Sequence, residues 1–225
     1  MIVLEAGFLK SATAPEQWPP ADRPEAAFCG RSNVGKSSCL NALANRRQLA
    51  RVSRTPGRTR LLNFFDARVA ERTRSGGRGP EHALRLVDLP GYGFASGPRE
   101  EREQWKAMIE RYLTGRDTLG ALVVIVDGAL GAQPSDVEMV RWGQSLRKRI
   151  VVVATKLDKL ARSRRAAQLK KVAATLGVPQ GQVIGFSAKE KFGIDELWRA
   201  LVSREAAAAG DLASPAANRK PPAVR

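Results

Sequence analysis

Two cysteines and one histidine in 225 residues leave little material for several kinds of chemistry. Cys29 and Cys39 are too few for a disulfide framework or a cysteine-built zinc site. One closes an apolar run and the other opens a helix, positions where a thiol acts as a small core filler. His82, alone, gives weak support to a histidine-based catalytic triad. No apolar run approaches the roughly 18 residues of a membrane span. Met1-Ile2-Val3-Leu4-Glu5 lacks the charged start and long apolar stretch of a secretory leader. A soluble, cytoplasmic, monomeric protein is therefore expected. Acid is scarce as well: 22 Asp and Glu stand against 38 Lys and Arg, a net charge of +16. Such an excess points to a polyanionic partner, either nucleic acid or an acidic membrane surface, or else to a generally basic composition. Hydrophobic residues make up 43% of the chain, enough to build one substantial core.

What the chain does contain is organised around Gly30-Arg31-Ser32-Asn33-Val34-Gly35-Lys36-Ser37. This fits G-x-x-x-x-G-K-[ST], the pattern of a loop that cradles phosphates. Its glycines allow the backbone to curl so that successive N–H groups point at a di- or triphosphate, and the positive end of the following helix adds to the attraction. In that reading Lys36 reaches the β- and γ-phosphates and the Ser37 hydroxyl ligates Mg²⁺. The setting agrees, since residues 25–29 read as a short strand and residues 38–44 as the start of a helix.

Strands and helices alternate along the rest. Residues 1–24 carry a short apolar patch and then four prolines, and read as an N-terminal extension. Residues 46–60 hold six arginines, no acid and a Pro-Gly turn signal, and read as a mobile cationic loop. Strand character follows at 61–70, a Gly- and Ser-containing connector at 72–80, and a strand at 83–87. Trp105, Met108, Ile109, Tyr112 and Leu113 recur at helical spacing, so 99–114 is predicted as an amphipathic helix whose stripe packs on the core. Residues 121–126 and 150–154 are continuous branched apolar runs, as in strands buried on both faces. Helices are predicted at 135–149, 163–176 and 194–208, with a last strand at 183–186. The residues from 209 to 225 are Ala-, Pro- and cation-rich without periodicity and are expected to be disordered. The sum is an α/β chain of three layers, a mostly parallel six-stranded sheet covered on both faces, with the domain proper spanning 25–208.

Two further motifs fall at predicted strand ends. Asp88-Leu89-Pro90-Gly91 places an acid where it could hold Mg²⁺, with the backbone N–H of Gly91 in place to sense a γ-phosphate. A second D-x-x-G, Asp117 to Gly120, has no strand before it and reads as accidental. Thr155-Lys156-Leu157-Asp158 resembles the [NT]-K-x-D guanine-reading motif. A carboxylate there accepts from guanine N1–H and the N2 amino group together, a pair that adenine does not offer. Ser187-Ala188-Lys189 completes the base pocket.

In order, these elements match the P-loop GTPase layout. The loop sequence, Thr55-Pro56-Gly57-Arg58-Thr59, Leu62-Asn63-Phe64-Phe65 and Asp88-Leu89-Pro90-Gly91-Tyr92-Gly93-Phe94-Ala95 resemble, more narrowly, the bacterial EngB-type (YihA/YsxC) GTPases of the group that includes Era and TrmE. The resemblance implies GTP and GDP as ligands and GTP hydrolysis as the reaction. It also implies a role in assembly of the large ribosomal subunit, with rRNA as partner, and a requirement in normal cell division and septation. It implies nucleotide contacts from Gly30, Arg31, Ser32, Asn33, Val34, Gly35, Lys36, Ser37 and Ser38, and from Gly57, Arg58, Thr59, Arg60 and Leu61. Further contacts are implied for Asp88, Leu89, Pro90 and Gly91, for Thr155, Lys156, Leu157 and Asp158, and for Phe186, Ser187, Ala188 and Lys189. Mg²⁺ falls to Ser37, Thr59 and Asp88, with Thr55 a competing candidate for the switch threonine.

Catalytic roles are implied for Lys36, Thr59, Gly91 and Asn33. Many GTPases place glutamine directly after D-x-x-G, but here Tyr92 stands there, so slow intrinsic turnover is expected. Asn33 is either a ligand for an activating K⁺ or an amide that braces the loop. Two other classes are weighed against the switch: an rRNA-binding assembly factor that keeps nucleotide only for structure, and a metabolic P-loop kinase.

Overall fold

The computed structural model describes residues 1–46, 49, 61–92 and 99–203. The expected mobile loop, including Thr55 and Gly57 to Arg60, lies outside them apart from its first residue and Leu49, as do Gly93 to Pro98 and the tail. The strands are β1 (Ile2–Ala12), β2 (Glu25–Gly30), β3 (Leu62–Arg72), β4 (Arg78–Asp88), β5 (Leu119–Asp127), β6 (Ile150–Thr155) and β7 (Val183–Gly185). The helices are α1 (Lys36–Leu43), α2 (Arg99–Gly115), α3 (Pro134–Ser145), α4 (Arg162–Leu176) and α5 (Ile194–Val202).

The seven strands form one sheet in the order β1-β3-β4-β2-β5-β6-β7. Pairings from β4 through β2, β5 and β6 to β7 are parallel, whereas β1 and β4 flank β3 antiparallel. Period-two alternation sends successive side chains of β5 to opposite faces. Leu122, Val124 and Val126 pack in one layer with Tyr112 of α2, Val140 of α3 and Val172 of α4. Ala121, Val123 and Ile125 pack in the other with Leu40 of α1 and Trp198 of α5. Trp198 also donates its indole N–H to the Leu43 carbonyl at the end of α1, at 3.2 Å. The three-layer architecture stands as expected.

The strand number does not. The sheet has seven strands because residues 2–12, expected as part of an extension, pair with β3 from Ile2↔Ala70 to Ala12↔Leu62. Register shifts between Val3 and Glu5 and between Phe8 and Lys10 interrupt the ladder. Each shift breaks the alternation of apolar and polar residues by which a strand is recognised. The connector expected at 72–80 is shorter: strand reaches Arg72 and resumes at Arg78, and residues 73–77 turn, closed by the Thr73 N–H on the Gly77 carbonyl at 3.0 Å. That hairpin tip is solvated on both faces, so no hydrophobic pattern marks it. Helix α3 stops at Ser145 instead of Arg149. The Lys148 N–H bonds back to the Gly143 carbonyl at 3.0 Å, and Arg147 takes a left-handed φ of 54°.

A buried charge cluster fixes the end of β2 remote from the phosphate loop. Glu25, 2% exposed, accepts from Arg116 Nη2 at 2.5 Å, Arg116 Nε at 2.9 Å and the Tyr112 hydroxyl at 2.6 Å. Arg85, 1% exposed, donates to Asp66 at 2.8 Å and to the Pro20 carbonyl at 2.6 Å. Arg116 also reaches the Pro19 carbonyl at 2.9 Å. The proline segment is thereby tied down by its own carbonyls, and Trp18 stacks edge-on against Tyr112. Burial pushes the Tyr112 phenol well above its ordinary range, and the Glu25 carboxylate adds to the effect.

Candidate functional site

The phosphate-loop sequence leaves the sheet at the carboxyl end of β2. At Gly30 an added Cβ would stand 2.8 Å from the Ile125 carbonyl oxygen and 2.9 Å from the Val34 side chain, so glycine is required there. The chain then turns through Asn33 at φ 64° and Gly35 at φ 100° before α1 begins at Lys36. Such left-handed residues let the loop reverse and present the first amides of the helix, which no preceding turn can satisfy. The two cysteines beside it are spent on packing. Burial raises both thiols well above their ordinary range, which keeps them protonated.

Two separate stretches meet on this loop. Asp88, the last residue of β4, pairs with the Lys36 ammonium, and both side chains are largely buried. Gly91 lies against the loop as well, since a Cβ there would be 3.0 Å from the Gly30 carbonyl oxygen. From the other side, Thr155 ends β6 with its hydroxyl beside the Val34 carbonyl and 3.0 Å from that of Val126. Lys156 adopts φ 58° and donates to the Asn33 carbonyl at 2.5 Å and to Asp127 Oδ2 at 2.8 Å. Thr155, which stands where asparagine is common, thus ties β6 to the loop through a hydroxyl instead of an amide.

Asp158 and Ser187 come together from segments 29 residues apart, the Ser187 hydroxyl donating to Asp158 Oδ1 at 2.7 Å. Ser187 in turn accepts the Glu190 N–H at 3.0 Å. Leu157 and Phe186 join the two segments below it: the Phe186 N–H bonds to the Ala154 carbonyl at 2.9 Å, and both side chains are buried. Ala188 is half-buried and Lys189 exposed at the same edge. The second D-x-x-G has no part in this, because Gly120 lies at the start of β5, at the opposite end of the sheet.

Sequence reasoning missed two acids. Asp127 ends β5 and accepts from Lys156 and from the Ala129 and Leu130 amides, both at 3.1 Å. Burial alone would raise its carboxyl, but the hydrogen bond from Lys156, the two amides and the lysine charge together hold it below its ordinary value. Asp136 is fully buried in the first turn of α3. Its Oδ1 accepts from the Tyr92 hydroxyl at 2.7 Å and Arg31 Nε at 3.3 Å, and its Oδ2 from the Gln133 N–H at 2.8 Å. Gln-Pro-Ser-Asp does carry a helix-start signal. It gives no sign of the two long-range donors. Burial, the Cys29 side chain and the Asp136 carboxylate push the Tyr92 phenol far above its ordinary range, so it stays protonated and able to donate.

This arrangement on this sheet defines a P-loop GTPase. A family model described as 50S ribosome-binding GTPase matches residues 25–156. The probable GTP-binding protein EngB of Anaeromyxobacter sp. (strain Fw109-5) is 50% identical over 214 residues, covering 95% of each chain. Its namesake from Myxococcus xanthus (strain DK1622) is 46% identical over 200 residues, covering 89% of this chain and 94% of that one. Among solved structures, a probable GTP-binding protein engB superposes with a TM-score of 0.59 at 24% identity, over 81% of this chain and 99% of that one. Era, solved with MgGDPNP and nucleotides 1506–1542 of 16S ribosomal RNA, shares the fold at a TM-score of 0.56 and 20% identity, over 80% of this chain and 56% of its own. The chain belongs to the EngB family of GTP-binding proteins.

Proposed function

We propose that the chain is a GTP-hydrolysing switch in assembly of the large ribosomal subunit, acting as a cytoplasmic monomer and needed for normal cell division and septation. The observation behind the nucleotide half is the convergence of Asp88, Thr155 and Lys156 on the one loop that holds Lys36. The ribosomal half rests on the description of the matching family and on the net charge of +16.

In this reading the amides of Gly30 to Ser38 hold the phosphates, and Lys36 moves from Asp88 to the β- and γ-oxygens. Ser37 and Asp88 are hard oxygen donors, and the described residues contain no group of three or more His, Cys, Asp or Glu that could cage a metal. That set suits Mg²⁺, which binds through few protein ligands and completes its shell with phosphate oxygens and water. Thr59 would join them. When bound, Mg²⁺ neutralises charge growing on the β- and γ-phosphates. The Gly91 N–H faces the γ-phosphate and Leu61, Leu89 and Pro90 add contacts beside it, while Gly57, Arg58 and Arg60, which lie outside the described residues, are assigned to the nucleotide by the family resemblance alone. Asp158, oriented by Ser187, accepts from guanine, while the Lys156 stem covers the base and Leu157, Phe186, Ala188 and Lys189 enclose it.

Turnover is slow because Tyr92, in the position that glutamine holds in many GTPases, gives its hydroxyl to Asp136. Asn33 supplies a ligand for an activating K⁺, and equal hydrolysis rates in K⁺ and Na⁺ buffers would remove that role. Titration with labelled guanosine nucleotides tests the whole reading. Saturable binding should be displaced by GTP and GDP but not by ATP, and lost in Lys36→Ala. Absence of saturable uptake by the unaltered chain overturns it.

A further inference from the structure

At the end of the sheet opposite the phosphate loop, a cleft of about 530 Å³ opens where α3 hands over to β6. Its lining holds three consecutive cations, Arg147, Lys148 and Arg149, together with Gln182 and an apolar part that includes Ile150 and Ile184. No carboxylate lines it. Arg149 is committed to the fold, donating to the Ala200 carbonyl at 2.6 Å. Arg147 and Lys148 are not: their side chains form no ion pair or hydrogen bond among the described residues. Arg147 is exposed and takes a left-handed backbone just past the end of α3.

We infer that this cleft is a nucleic-acid site, which takes an unstacked nucleotide of single-stranded RNA while the phosphate loop is occupied. The cations suit the flanking phosphates, the amide suits a base edge, and the apolar part suits the face of a base. A duplex keeps its bases paired and stacked, so none is free to enter the cleft. Ile150 begins β6 and Thr155 ends it against the phosphate loop, so at roughly 3.3 Å per residue the two sites lie about 17 Å apart along the strand. Ligands at both ends are therefore compatible. The choice of RNA as the polyanion rests on the ribosomal role proposed above, and the position of the site does not.

The test is fluorescence anisotropy with a labelled oligouridine of about 12 nucleotides, using the full chain loaded with GDP. R147E/K148E should bind about tenfold more weakly, and the slope of log affinity against log salt should flatten by about 1.4, or 0.7 for each phosphate left without its cation. R74E/R78E, which makes the same charge change on the exposed tip of the β3–β4 hairpin, should weaken binding by less than about twofold. Lys148→Glu alone, free of the left-handed backbone at 147, should show a smaller loss in the same direction. Guanosine nucleotide binding should be unchanged in all of them. Equal losses in the two double variants, equal binding of an RNA duplex, or equally effective competition by polyglutamate would each overturn the inference while leaving the switch reading in place. A wild-type chain that takes guanosine nucleotide but no RNA would remove the cleft and the ribosomal role together.

Discussion

The Tyr92 hydroxyl donates to Asp136 Oδ1 at 2.7 Å, and Arg31 of the phosphate loop reaches the same oxygen at 3.3 Å. One buried carboxylate at the start of α3 therefore holds both the segment after Asp88 and the loop after β2. Tyr92→Phe deletes the donor and keeps the ring. Urea unfolding should show a loss of about 1.5–3 kcal/mol, the usual cost of a hydrogen bond to a charged group. Single-turnover hydrolysis should change by less than about twofold. A fall of tenfold or more would mean that the phenol takes part in the chemistry.

Asp127 should matter to nucleotide through Lys156. Asp127→Asn takes away the charged one of the two anchors of Lys156, leaving the Asn33 carbonyl, and GDP affinity should drop by about tenfold, close to 1.4 kcal/mol. The same change has a pH signature. Because the folded state holds this carboxyl below its ordinary value, its stabilisation is fully present above that value and is lost as pH falls through the lower, folded one. The stability gap between the two proteins, at most about 1 kcal/mol for a partly exposed pair, should therefore be constant near neutrality and close below about pH 4. A gap that instead closed on raising the pH would contradict the ion pair.

Guanine preference should depend on Ser187 as well as on Asp158. Asp158→Asn should weaken discrimination of GTP from ATP by two or more orders of magnitude, roughly the cost of an unpaired buried polar group. Ser187→Ala, which removes only the hydroxyl that orients that carboxylate, should cost about five- to tenfold. Competition binding reads both. Unchanged discrimination in Asp158→Asn would remove the base pocket from this edge of the sheet.

The cluster around Glu25 should dominate stability. Glu25→Ala strands Arg85 and Arg116 in the interior with one acid fewer, and denaturant melts should show a loss of about 3–5 kcal/mol. Arg116→Met should cost a similar amount, because it leaves the buried Glu25 carboxylate with only the Tyr112 hydroxyl and, at 3.4 Å, Arg85. A loss below about 1 kcal/mol for Glu25→Ala would mean that the cluster is solvated.

The alternation of buried strands with helices was legible in the residues, as was the placement of Gly30 to Ser37 at the end of β2, of Asp88 at the end of β4 and of Thr155 to Asp158 at the end of β6. Each is a local pattern: spacing in the motifs, and a run of branched apolar side chains in β5 and β6. The seventh strand was not legible, since bulges in β1 hide its period and only the facing β3 ladder gives it register. Nor were Asp127, Asp136 and the cationic cleft. A carboxylate shows in sequence as a charge, and its partners are fixed only when β2, β4, β6 and α3 are brought to one edge of the sheet. Composition and motif decided what kind of ligand this chain can hold. Packing decided which side chains hold the loop that holds it, because hydrogen bonds act over about 3 Å and connect residues that the chain separates by dozens.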